Sequence, residues 1–249
     1  LSMGRILAIE TATKVCSTAL IEDGSVLGEA TLNVPQVHVE RLVISINDML
    51  ANLHMDYAGL DAVAVSNGPG SFTGLRIGLS VAKGIAFAGD KKLIAVPTLD
   101  AIAFKLRHFV DSCVVVAVLH ARAEEFYYAA FRIDGSTLHR LGAYAAAEAD
   151  KIADEFDRKT IFVGEGAGAF AASEAVRKKF GPENLKVLPA SASEVAHLAE
   201  DKFKSGEFSD LRSLAPLYVK DFVAIKGNPL NKLSRQTSGP RLKSGLEKS

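Results

Sequence analysis

One glycine-rich stretch of this chain could bind an anion and also start a helix. It runs from Ser66 to Gly78 and reads Ser-Asn-Gly-Pro-Gly-Ser-Phe-Thr-Gly-Leu-Arg-Ile-Gly. Glycine and proline allow turn geometries that other residues resist, and N–H groups presented by such a turn can bind an anion or face another protein. A tight strand-to-helix connection is the alternative. The residues that we expect to form an anion site are Gly68, Gly70, Ser71, Thr73 and Gly74, and two of them, Ser71 and Thr73, are also candidate helix caps.

Metal binding and nucleophilic catalysis find little support in the residue pattern. Two histidines on one helix must be about one turn apart to share a metal. No two of the six histidines are three or four residues apart, since they stand at positions 38, 54, 108, 120, 139 and 197. Ser71 does not stand in a Gly-x-Ser-x-Gly motif, the signature of a nucleophile elbow. We therefore predict no metal site and no catalytic residue in this chain.

The predicted elements follow the same order twice. The first series places three strands between Arg5 and Leu32, a helix up to Leu53, the strand Asp61–Val65 and the helix Leu75–Ala88, so the glycine-rich stretch joins a strand to a helix. The second series predicts the strands Ser112–Leu119, Glu125–Ile133, Thr137–Tyr144, Thr160–Val163 and Lys186–Leu188, with helices at Glu148–Phe156, Phe170–Phe180 and Ser193–Lys204.

This order predicts an α/β protein with two βββαβα lobes, of which the second is smaller or degenerate. The predicted N-terminal lobe covers residues 4–97, a connecting helix covers 98–110, the C-terminal lobe covers 111–226, and a flexible basic tail covers 227–249. Duplicated lobes of this kind are similar to those of the actin, hexokinase and sugar-kinase (ASKHA) superfamily, in which a nucleotide lies between the lobes.

The first predicted hairpin resembles the phosphate-facing hairpin of that superfamily. Glu10, at the end of the first strand, could hold a metal-bound water, and the hydroxyls of Thr11 and Thr13 could face phosphates. Equally, both hydroxyls could bond to the backbone of their own turn. The glycines at residues 164–168 could form a second phosphate-binding loop or a closely packed turn.

The two helices of the first lobe carry apolar residues on more than one face. Small residues such as Gly78, Ala82 and Gly84 would let another helix approach closely. A helix that is apolar on two faces must be buried on both, and a partner chain could cover the second face. Packing within the lobe is the alternative. The residues that we expect at a partner interface are Val39, Val43, Ile46, Arg76, Ile77, Val81 and Ile85.

The composition sets limits on location and partners. The 29 basic and 29 acidic residues balance, so the net charge predicts no general attraction to nucleic acid. No apolar run reaches the roughly 18 residues of a membrane span, and the two cysteines, Cys16 and Cys113, are expected as free thiols. We therefore expect a cytoplasmic protein. The tail could contact RNA phosphates or remain solvated.

Several strings in the chain together resemble the bacterial TsaB (YeaZ) family. The most specific is Gly68–Gly78, and the resemblance covers about residues 5–226. The other matching strings are Ile6–Thr13, His38–Leu42, Ala121–Arg122 with Glu125–Tyr127, and Pro216–Lys220. Family members usually have Asp where Glu10 stands, and commonly Asp where His120 stands.

The resemblance implies a role in making tRNA threonylcarbamoyladenosine (t6A). It implies a non-catalytic scaffold that docks its first-lobe helices on the carbamoyltransferase TsaD and activates it toward ANN-decoding tRNAs. The ATPase TsaE would join through the complex, and tRNA would be contacted indirectly. ATP and metal are expected on the partner subunits, with no cofactor bound tightly by this chain. Alone, the protein is expected to form a homodimer through the same surface.

Two further functions stay open at this point. One is a stand-alone ATP-dependent phosphotransferase that uses Glu10, Thr11, Thr13 and the two glycine-rich turns. The other is a glycoprotease-like metallopeptidase, a label once given to this superfamily, which would require a bound metal.

Overall fold

The computed structural model describes residues 4–33, 38–110, 112–135 and 137–219, without the side chains of residues 38–40 and 108. The predicted basic tail, residues 227–249, lies outside these ranges. The described chain forms two mixed β-sheets with helices packed on them. The predicted two-lobed α/β fold is confirmed.

The central strands of the first sheet are buried on both faces, which explains why they read as short apolar runs. Its strands lie in the order β3-β2-β1-β4-β5. Leu7 and Ile9 pack in the core beneath the first two helices, whereas Ile6 and Ala8 face the opposite core. The elements are β1 (Ile6–Glu10), β2 (Cys16–Glu22), β3 (Ser25–Leu32), β4 (Ala62–Ser66), β5 (Lys92–Val96), α1 (His38–Asn52) and α2 (Phe72–Ala88).

Three parallel strands of this sheet end at the same edge. Ile9 of β1 pairs with Val65 of β4, and Ser66 of β4 pairs with Val96 of β5. The connections that follow these strands therefore meet at one place. The glycine-rich loop, residues 67–71 between β4 and α2, lies at this edge.

The second sheet has the order β11-β10-β6-β7-β8, and β9 pairs with β7. The predicted strand Thr137–Tyr144 is wrong, because the chain turns after Arg140 and a separate strand begins at Ala145. The helix Phe170–Phe180 is also wrong, because Ser173 caps a new helix by accepting from Val176 N–H. The elements are α3 (Thr98–Phe104), β6 (Ser112–His120), β7 (Glu125–Asp134), β8 (Thr137–Arg140), β9 (Ala145–Glu148), α4 (Ala149–Glu155), β10 (Ile161–Val163), α5 (Ala167–Phe170), α6 (Glu174–Lys179) and β11 (Leu185–Lys186).

The last described helix, α7 (Ala192–Lys204), packs on the first sheet rather than on the second. Its small side chains, Ala192, Ala196 and Ala199, pack in one core with β1, β2, β4 and β5. Ser17 Oγ accepts a hydrogen bond from Ala192 N at 2.8 Å. The predicted C-terminal lobe, residues 111–226, thus contains a helix that completes the core of the first lobe. Within the described ranges, every helix is too short or too polar to span a bilayer.

A tyrosine ties the connecting helix α3 to the second lobe. Tyr144 OH donates to Asp100 Oδ1 at 2.8 Å, and Arg140 donates to the same phenol oxygen while its guanidinium stacks on the ring. Burial raises the pKa of Asp100, and the Tyr144 hydrogen bond lowers it, with a net rise. The phenol therefore offsets part of the cost of burying this carboxylate.

We predict that Tyr144→Phe lowers the free energy of unfolding by about 1–2 kcal/mol at pH 7. Without the phenol the pKa of Asp100 rises further above its unfolded value of 3.8. The loss is therefore smaller at pH 3, which lies below that value, and grows as the pH rises. Urea unfolding at both pH values measures it. Tyr128→Phe is the matched control, because Tyr128 bonds an exposed glutamate, Glu155, and equal losses in the two variants would contradict the prediction.

Candidate docking face and the glycine-rich loop

The glycine-rich loop packs directly on the turn of the first hairpin. Ser71 N donates to Ala12 O at 2.7 Å, and Thr11 Oγ1 donates to Gly74 O at 2.8 Å. Leu75 N bonds to Ser71 O, which continues the chain into α2. These backbone groups are therefore hydrogen-bonded to other groups of the same chain, as expected of a tight strand-to-helix connection.

Three glycines permit this contact because no side chain would fit there. A Cβ at Gly74 would lie 2.0 Å from the carbonyl oxygen of Thr11, and one at Gly70 would lie 2.3 Å from that of Ala12. A Cβ at Gly78, one turn into α2, would lie 2.2 Å from Thr11 Oγ1. The glycines thus let the start of α2 approach the hairpin closely.

The predicted caps differ in their roles. Ser71 is the N-cap of α2 and accepts from Gly74 N at 3.2 Å. Thr73 lies on the exposed side of the first turn and is not the cap. With Ser71 as cap, the helix begins three residues before the predicted start at Leu75.

The C-terminal part of the described chain returns to this loop. Leu217 N donates to Asn67 O at 2.6 Å, and a Cβ at Gly68 would lie 2.7 Å from Leu217 O. The ring of Tyr218 then packs against that of Phe72. The Arg76 guanidinium lies over the same Phe72 ring, with its Cζ 3.8 Å from the ring centroid. The string around Pro216 that contributed to the family resemblance therefore packs against the glycine-rich string.

Glu10 is fully buried at the end of β1. Its Oε1 accepts from Ala12 N at 2.6 Å. The pKa of Glu10 is raised to about 7, mainly by burial and to a lesser extent by the carboxylate of Glu165, while Ser66 and the backbone N–H groups of Ala12 and Thr13 oppose the rise. The position that was expected to hold a metal-bound water thus lies within the protein, closed to bulk solvent.

The threonine hydroxyls of the hairpin bond within the chain. Thr11 donates to the start of α2, and Thr13 Oγ1 accepts from Val15 N at 3.2 Å within its own turn. The second glycine-rich loop approaches this turn from the other lobe, where Glu165 Oε2 accepts from Lys14 N at 3.5 Å. Two carboxylates, Glu10 and Glu165, therefore lie near the place where a phosphate was considered, and they would repel one.

The outer side of α2 is lined by small and apolar residues. Thr73, Ile77, Ser80, Gly84 and Phe87 recur every three or four residues, the spacing of a seam that packs on another helix. A Cβ at Gly84 would meet no atom within 4 Å, and Phe87 is 78% exposed. We define these five residues, with Val43 of α1, as the docking face.

The predicted interface residues are distributed between this face and the core. Val43 is 43% exposed, but Ile46 is 0% exposed and packs beneath the helix, so it cannot contact a partner. The side chain of Val39 lies outside the described part of the chain. Arg76 is exposed, and the half-buried residues that pack on the core with part of their surface are Ile77, Val81 and Ile85.

Ser80, Phe87 and Tyr218 are not among the residues predicted for a site. The regular spacing of Thr73, Ile77, Ser80, Gly84 and Phe87 was the available signal for the first two. Nothing in the sequence places Tyr218 beside α2, because that contact depends on the path of the chain after α7.

Among the described residues, no group of three His, Cys, Asp or Glu side chains could hold a metal ion.

We predict that Gly78→Ala lowers the free energy of unfolding by about 1–3 kcal/mol, because the new methyl group collides with Thr11 Oγ1. Urea unfolding measures the change. Gly84→Ala is the matched control and should stabilise the helix by about 0.5–1 kcal/mol. In a Thr11→Ala background the cost of Gly78→Ala should largely disappear, and an undiminished cost would contradict the assigned clash.

Comparisons with known proteins identify the family of this chain. The family model of TsaD, tRNA N6-adenosine threonylcarbamoyltransferase, matches residues 29–222. The tRNA threonylcarbamoyladenosine biosynthesis protein TsaB of Escherichia coli (strain K12) is 30% identical over 90% of this chain and 98% of its own length. The Bacillus subtilis (strain 168) protein of the same name is 26% identical over 86% of this chain and 93% of its own length.

The solved structures give the same result. YeaZ from Pseudomonas aeruginosa has a TM-score of 0.74 at 26% identity, over 86% of this chain and 99% of that one. A second Pseudomonas aeruginosa structure, of a protein with similarity to peptidase YEAZ, has a TM-score of 0.77 at 26% identity, over 87% of this chain and all of that one. The chain belongs to the TsaB (YeaZ) family of tRNA threonylcarbamoyladenosine biosynthesis proteins.

Proposed function

We propose that this protein is a non-catalytic scaffold that docks with the carbamoyltransferase TsaD through the docking face and activates it for t6A modification of ANN-decoding tRNAs. The observation that carries the proposal is the outer side of α2, where Gly84 and Ser80 leave room for another helix and Phe87 is exposed. Small residues at such a seam let two helices approach closely, and the exposed apolar surface then becomes buried.

The match to the TsaD family model supports a partner of the same fold. Residues 29–222 match that model, so the two proteins would present related helices in related positions. Related folds commonly pair through equivalent surfaces about an approximate twofold axis. By the same geometry, the protein alone would form a homodimer through the docking face when TsaD is absent.

In this role the carbamoyl transfer takes place on the partner proteins and not on this chain. ATP and metal would lie on TsaD and on TsaE, which joins through the complex, and tRNA would be contacted indirectly. The hydroxyls of Thr11 and Thr13 are bonded within the chain, and Glu10 is buried. Because the proposed role is in tRNA modification, we still expect a cytoplasmic protein. No observation favours the phosphotransferase or the metallopeptidase over the scaffold.

The decisive variant is Gly84→Leu. Its side chain would project into open space in the free protein, so the fold should be unaffected, but it would fill the gap that the partner helix needs. We expect its complex with the cognate TsaD to weaken at least tenfold, measured by gel filtration and by titration of the purified proteins.

Gly142→Leu is the matched control, since a Cβ at Gly142 also meets no atom within 4 Å but lies in the second lobe. It should bind TsaD like the wild type. Both variants should unfold at the temperature of the wild type within a few degrees. Undiminished binding by a folded Gly84→Leu protein would show that TsaD does not dock on this face.

A further inference from the structure

Four buried oxygen atoms at the end of the first sheet have no hydrogen-bond partner. They are Glu10 Oε2, Ser66 Oγ, Asn67 Oδ1 and Thr98 Oγ1, and they are the buried side-chain atoms of the described residues that remain unsatisfied. Buried polar atoms are nearly always bonded to protein, to water or to an ion. Four of them in one region therefore point to something that binds there.

The topology brings these atoms together. Glu10 and Ser66 are the last residues of the neighbouring parallel strands β1 and β4. Asn67 N bonds to Val96 O at the end of β5, and Thr98 N bonds to Gly68 O at 2.8 Å. All four residues thus lie where β1, β4 and β5 end.

Glu10 and Ser66 also point to the same side of the sheet. The residues before them, Ile9 and Val65, both pack in the core beneath α1 and α2, so the next side chains face the opposite side. The Ser66 hydroxyl lies close enough to lower the pKa of Glu10, although neither Oγ nor Oε2 has hydrogen-bond geometry with any group.

The charge of this region is not balanced by the protein. The charged neighbour that acts on the Glu10 carboxyl group is Glu165, a second carboxylate, and the thiol of Cys16 lies nearby on β2. A buried carboxylate needs a cation or a proton to compensate it. The other three oxygens are neutral, and each can coordinate a cation.

We propose that these four oxygens bind one dehydrated monovalent cation, Na⁺ or K⁺. Carboxylate, hydroxyl and amide oxygens are hard ligands suited to such ions. Glu10 is the one charged group among the four, since Glu165 is partly exposed and accepts from Lys14 N. It balances a single positive charge, whereas Mg²⁺ or Ca²⁺ would leave a net positive charge among these buried oxygens, and Mg²⁺ would have to lose more of its water. The ion is structural and separate from the ATP and metal that the proposed function assigns to the partners.

Such an ion would fix the base of the docking helix. It would join the ends of β1 and β4, the start of the glycine-rich loop at Asn67, and the first residue of α3 at Thr98. The loop that positions α2 leaves the sheet at this point. Binding of the cation should therefore stabilise the whole first lobe.

The test is thermal unfolding of the full chain in KCl, in NaCl and in choline chloride at equal ionic strength. Choline is too large to enter a sealed site. We expect the unfolding temperature to rise by about 3–6 °C in a saturable manner with K⁺ or Na⁺ relative to choline. The two salts distinguish which ion is preferred.

Single substitutions test whether the four oxygens are the site at which the cation raises the unfolding temperature. Glu10→Gln keeps the shape of the side chain but removes its charge, and it should abolish the cation-specific rise. If it does not fold, Thr98→Val removes one ligand and should shift the half-saturating concentration upward several-fold. Glu200→Gln is the matched control: this buried glutamate bonds to Gly24 N and pairs with Lys204 elsewhere in the fold, so the variant should keep the rise.

Three results would overturn the proposal. Equal unfolding temperatures in choline, KCl and NaCl would mean that buried water alone satisfies the four oxygens. A rise that persists in Glu10→Gln would place the cation elsewhere. A response to MgCl₂ or CaCl₂ without a response to K⁺ or Na⁺ would contradict the single-charge argument.

Discussion

The contact between the backbone of the first hairpin and the first turns of α2 determines how the rest of the first lobe is arranged. At Gly74 the two backbones are so close that even a methyl group would overlap the carbonyl oxygen of Thr11. The Ser71–Ala12 and Thr11–Gly74 hydrogen bonds fix the helix in rotation as well as in position. Because one side of α2 is held in this way, its opposite side has a fixed orientation toward solvent. A surface that is presented rigidly loses little conformational freedom when a partner binds.

The same contact changes the interpretation of the glycine-rich string. In a phosphate-binding loop, glycines leave backbone N–H groups open to the anion. Here Gly70, Gly74 and Gly78 bring a helix close to a hairpin, and Ser71 N is bonded within the chain. The neighbouring buried carboxyl of Glu10 and the carboxylate of Glu165 make the region unfavourable for a phosphate. The sequence motif is therefore explained by packing, and that packing in turn supports a surface for protein contact.

Local features of this fold could be predicted from the sequence, whereas features that depend on distant contacts could not. The strand–loop–helix order and the Ser71 cap follow from short-range patterns. The difference between Val43 and Ile46 does not, because helical spacing shows two apolar faces without showing which one the sheet covers. Gly78 and Gly84 are likewise equivalent in sequence, and only the position of Thr11 separates them. The turn after Arg140 and the break at Ser173 were missed because the apolar pattern continues past both.

The placement of α7 has a consequence for synthesis of the protein on the ribosome. The apolar surface of Ile6, Ala8 and their neighbours is covered by residues 192–204, which are translated long after the strands of that sheet. Until those residues emerge, the nascent chain carries an unprotected sheet face for about 5–20 s at ordinary elongation rates of roughly 5–20 residues per second. The first lobe therefore cannot finish folding while it is being made.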